Sequence, residues 1–110
     1  MNYQHKELAS GRWHHLTFTE QMANIGSEVE RALNWQGKNN VAYSQRASER
    51  ALELMDLSLD SAKGFSRLKE LARLRETLVD YFFGDNQYQS SARLFKNYFS
   101  HFTYAARKNY

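Results

Sequence analysis

Apolar side chains return at intervals of three and four residues in four separate stretches of this chain, and the period lapses at Gly37, Gly64 and Gly84. A helix of 3.6 residues per turn gathers such positions on one face. Glycine is also the residue expected just beyond a helix end, where it tolerates left-handed backbone. The chain has no proline in 110 residues, so nothing in it breaks a helix by removing a backbone donor. No stretch alternates as a half-buried strand would, and there is no internal repeat or low-complexity linker. These features predict an all-α fold, an antiparallel up-down four-helix bundle with helices over about 17–36, 41–61, 65–83 and 91–107.

Residues 1–15 are polar and without a clear period; Gly11 and the run Arg12-Trp13-His14-His15 read as an entry segment whose tryptophan covers the end of a bundle. Thr17 and Glu20 offer a capping box, a hydroxyl at the N-cap with a carboxylate three residues on. Phe18, Met22, Ile25, Val29, Leu33 and Gln36 then follow at helical spacing. Gly26 interrupts this helix at a cost of about 1 kcal/mol against alanine. Either a close helix crossing or simple tolerance accounts for it.

The second helix places Ala47, Ala51, Leu54, Met55 and Ser58 inward, with Leu52 and Leu59 at the edges, and its small residues predict a tight approach to a neighbour. Glu49, Glu53, Asp56 and Asp60 fall within an arc of roughly 60° on its opposite side. The fourth helix carries Phe95, Phe99, Phe102 and Ala106 on its core stripe, with Tyr98 beside it.

The third helix is the most strongly patterned. Leu68, Leu71, Leu78 and Phe82 make its stripe, flanked by Leu74 and Val79, while Lys69, Arg73, Glu76 and Asp80 lie on the far side. Arg75 breaks the pattern, falling about 40° from Leu71 inside the stripe. A guanidinium keeps its charge, so it requires a carboxylate, a carbonyl or water. Glu28, close to the apolar arc of the first helix, is the expected partner in a buried ion pair; the alternative is an anion-ligand or catalytic site at Arg75.

Composition removes several classes of function. With no cysteine there is no disulfide, thiolate nucleophile or cysteine-ligated metal. The opening MNYQHKE leads into no apolar core, so no signal peptide is expected and a cytoplasmic location is the default. No stretch reaches the roughly 20 apolar residues of a membrane span. No metal site is expected: the chain has no Glu-x-x-His of the carboxylate-bundle type, His14 and His15 diverge as neighbours, His5 stands apart, and His101 sits at the edge of its helix's stripe. Hydroxyl nucleophiles lack a base and an orienting group, no glycine-rich phosphate loop is present, and no cofactor is implied.

The runs GRWHHLTFTEQMANIGSEVERALNW, RASERALELMDLSLD and VDYFFGDN resemble a family of small bacterial helical proteins to which no biochemical role is attached. A weaker analogy is to HEPN-type helical domains. Their nuclease members carry an arginine followed a few residues later by a histidine, and no arginine here precedes a histidine at that spacing.

A non-enzymatic protein-interaction module is therefore expected, a helical bundle that self-associates or docks a protein partner. Trp35, Tyr81 and Tyr104 lie off the core stripes and are the expected interface anchors. The acidic face of the second helix and the basic last helix are of opposite sign, which suits contact between subunits. The alternative is RNA or DNA binding through the C-terminal helix, where Arg93, Lys96, Arg107 and Lys108 are interleaved with tyrosines and no acidic side chain intervenes.

Overall fold

The computed structural model describes residues 11–108, and these are helical with no strand. After a short 3₁₀ turn at Arg12–His15 come four helices: α1 (Phe18–Gly37), α2 (Val41–Ser61), α3 (Phe65–Phe83) and α4 (Ala92–Lys108). His5 lies outside the described residues.

Three of the four long helices start on a side-chain cap, and α3 starts without one. Thr17 caps α1 in a full capping box, its hydroxyl accepting from the Glu20 amide at 3.1 Å while the Glu20 carboxylate accepts from the Thr17 amide at 2.9 Å. Asn40 caps α2 by accepting from the Tyr43 amide, and the Ser91 hydroxyl accepts from the Leu94 amide at the start of α4. The turn after α1 differs from the simplest glycine rule. Gly37 belongs to the last turn of α1, and the left-handed residue is Asn39 at φ 61°; asparagine takes that conformation at low cost. The loop between α3 and α4 is held from within: both Asp80 carboxylate oxygens accept loop amides, those of Gln87 and Tyr88.

α1 is the central element. It lies along α2 on one side and α4 on the other, while α3 rests on α2. The α1–α2 seam is close because small residues line it: Ala32, Ala47, Ser44 and Ser48 are buried, and the Ser44 hydroxyl donates across the seam to the Ala32 carbonyl at 2.9 Å. The α1–α4 crossing is closer still at one point, where a Cβ on Gly26 would stand 2.8 Å from the Cβ of Phe99. Of the two explanations open for Gly26, the close crossing is the one the structure supports.

Trp13 is part of the core, not a lid over its end. It is 1% exposed, its indole N–H donates to the buried Ser58 hydroxyl at 2.9 Å, and its carbonyl accepts from the Gln21 side chain. α3, by contrast, buries only Leu71, Leu74 and Leu78. Leu68, expected in the core stripe, is 40% exposed, because α3 is gripped closely by α2 alone and its flanks stay open.

Candidate functional site

Arg75 meets a carboxylate, but not the expected one. Its Nε donates to Asp56 Oδ1 at 2.8 Å and a terminal nitrogen reaches Oδ2 at 3.5 Å, a fork onto α2. Both side chains are about two-fifths exposed, 39% and 43%. The arginine stem leaves the apolar stripe and carries its charge out to the rim. The pair is therefore not a buried one, and belongs with contacts worth about 0.2–1 kcal/mol. Glu28 holds Arg50 of α2 at 3.2 Å and Arg31 of its own helix at 3.4 Å, and is 13% exposed. It, not Arg75, is the ion-pair member lodged between two helices.

The acidic side of α2 is less uniform than its spacing suggested. Asp56 is committed to Arg75, Glu53 is engaged within the chain, and Arg46 and Arg50 lie within one turn of Glu49 on the same helix. Among the described residues no group of three His, Asp or Glu side chains is placed to hold a metal ion. His14, His15 and His101 are all exposed.

The expected interface anchors divide. Trp35 stands edge-on to Tyr43 at 4.9 Å with the Lys38 ammonium over its ring. Tyr81 is turned inward: its hydroxyl donates to Gln36 and its ring packs on Phe82 and Phe95. Tyr104 alone remains open, at 69% exposure. The four cations of α4 divide too. Lys96 and Arg107 line a groove of about 360 Å³ between α1 and α4, together with Tyr104 and Glu30. Arg93 and Lys108 are exposed elsewhere on the helix.

The larger opening is one that no sequence pattern marked. The backbones of α3 and α4 stay apart, and a groove of about 580 Å³ runs between them, with Leu74, Phe95 and Tyr98 at its base, Leu94 on one wall and Lys69 and Arg73 on the other. Side chains bridge its floor. Phe95 stacks on Phe82 at 6.4 Å, and the Tyr98 hydroxyl donates to Glu70 at 2.6 Å. Burial first, then the hydrogen bond and charge of Glu70, raise the Tyr98 pKa well above the ordinary tyrosine value. The phenol, a donor at neutral pH in any case, thus stays one into the alkaline range where a free tyrosine ionises. Its share of stability is full below about pH 10 and falls only as pH climbs beyond that.

Leu94 is a groove residue that the period missed. It is 57% exposed and lies about 100° from Phe95 on the helix wheel; an apolar residue that far off its stripe was the available signal. Arg75 lines neither groove. No helix among the described residues is long and apolar enough to cross a membrane. No family model, curated protein or solved structure matches the chain.

Proposed function

We propose that this protein is a non-enzymatic interaction module, an antiparallel up-down bundle that self-associates by docking a second copy of the chain on the α3/α4 groove. Several contacts support the helix directions. Ser44 meets Ala32 and Arg50 meets Glu28, so α2 runs back along α1. Tyr98 meets Glu70 and Phe95 meets Phe82, so α4 runs back along α3.

The observation that carries the function is the groove itself. A helix with only three buried side chains is left apart from its neighbour, with an exposed leucine on the wall. A protein surface that covers this cleft gains the burial the monomer forgoes. A second copy suits it because the outer side of α3 carries both signs of charge, Lys69 and Arg73 with Glu76 and Asp80. An α2-to-α4 contact between subunits is less favoured, because α2 presents mixed charge and its Asp56 is already paired with Arg75.

Sedimentation across the micromolar range is expected to show a concentration-dependent dimer. Leu94→Lys, which removes apolar surface and adds a cation beside Lys69 and Arg73, is expected to weaken dimerisation at least about tenfold with helix content unchanged. A monomer throughout that range overturns the proposal.

One observation favours a second reading. The α1/α4 groove brings Lys96 and Arg107 beside the open ring of Tyr104, an arrangement suited to phosphates and a stacked base of single-stranded nucleic acid. Binding on that groove should fall steeply with salt and vanish when Lys96 and Arg107 are neutralised. A flat titration with single-stranded RNA and DNA at low salt removes it.

A further inference from the structure

We propose that the two copies pair through α3 in an antiparallel register, with the two-fold axis crossing the outer side of α3 at the height midway between residues 74 and 75, so that Arg73 faces the partner's Glu76 and Lys69 faces the partner's Asp80. This rests on the self-association proposed above and names its geometry.

Lys69, Arg73, Glu76 and Asp80 follow one another along the outer side of α3, within an arc of roughly 60° at 100° per residue. The two cations come first and the two carboxylates second. A parallel pairing of two such helices sets cation against cation and carboxylate against carboxylate. An antiparallel pairing sets opposite charges together. The spacing adds a stricter condition, because a single two-fold must satisfy every pair at once. Residues 69 and 80 and residues 73 and 76 share the same midpoint, between 74 and 75, so one axis satisfies both. Isologous interfaces require this self-complementarity, and it also closes the assembly at two copies.

Three of these four charges, Lys69, Arg73 and Glu76, have no ion partner among the described residues. Asp80 is half-buried and accepts the Gln87 and Tyr88 amides, one on each carboxylate oxygen, which fixes where its charge sits. The groove with Leu94 opens on the same flank as Lys69 and Arg73. Apolar burial therefore drives association, and the charges select direction and register.

Two measurements test the register on the full chain. Arg73→Glu and Glu76→Arg, each at an exposed position, are each expected to weaken the dimer about tenfold, since each creates two like-charge contacts across the axis. The double variant, Arg73→Glu with Glu76→Arg, should return to wild-type affinity, and 0.5 M salt should narrow all these differences. The chain has no cysteine, so single cysteines report distance without background. Copies of Thr77→Cys would lie about 7.5 Å apart along the axis and should be joined by a short bismaleimide, whereas copies of Ser66→Cys would lie about 25 Å apart and should not. A wild-type dimer that is indifferent to the charge reversals, or that cross-links equally at both positions, overturns this register and leaves self-association standing. A wild-type monomer overturns both.

Discussion

Trp13→Ala is expected to lower stability by about 3–5 kcal/mol, the range for deleting a large buried aromatic side chain. The residue stands in a single 3₁₀ turn before the first helix, yet its ring lies in the main core cluster with Met22, Met55 and Leu57. Two hydrogen bonds tie it in place: the indole N–H to Ser58 on α2, and the Gln21 amide of α1 to its own carbonyl. Losing the ring opens a cavity and also strands Ser58, which is 1% exposed. Trp13→Phe separates the two effects. It keeps most of the volume and loses the donor, so about 1–3 kcal/mol is expected from the hydrogen bond and its unpaired acceptor. Urea unfolding followed by helical circular dichroism measures both. A loss below 1 kcal/mol for the alanine variant would show that the turn is not part of the cooperative fold.

The second large effect is at the α1–α4 crossing. Gly26→Val is expected to cost about 2–3 kcal/mol through overpacking. The new Cβ would sit 2.8 Å from both the Cβ and the Cδ1 of Phe99. A Cβ follows its backbone, so α4 has to shift as a body, and no rotamer change of Phe99 clears the contact. Gly26→Ala meets the same atoms but gains about 1 kcal/mol of helix propensity, which leaves it between neutral and mildly destabilising. In a double-mutant cycle the cost of Gly26→Val should shrink in part when Phe99 is truncated to alanine, which removes the Cγ and Cδ1 contacts and keeps the Cβ contact, with a coupling of about 1 kcal/mol. An alanine variant more stable than wild type by the full propensity difference would mean that the helices do not touch at Gly26.

The positions of the helices were legible because their causes are local. Thr17 and Glu20 form the capping box that their spacing implies, and the stripe from Met22 to Leu33 is buried as its period requires. Arg75 shows where that logic stops. Its place on the wheel called for a carboxylate, a carbonyl or water; that the partner is Asp56 and not the expected Glu28 depends on which helix lies beside α3, and how far a flexible stem reaches towards water. Trp13 shows the same limit from the other side. With no period around it, nothing in the sequence distinguished a cover from a core residue.

The chain alone thus settled four helices, their approximate bounds and most of the faces they bury, Leu68 of α3 excepted, since propensity, capping and apolar period act over one or two turns. It also settled the order of charges along α3. Only the tertiary packing decided that α1 takes α2 and α4 as its close neighbours, that Gly26 admits Phe99, and that α3 and α4 part to leave a groove beside Leu94. The reason is physical: which two faces meet depends on side-chain volumes summed across helices far apart in sequence, and no stretch of the chain carries that sum.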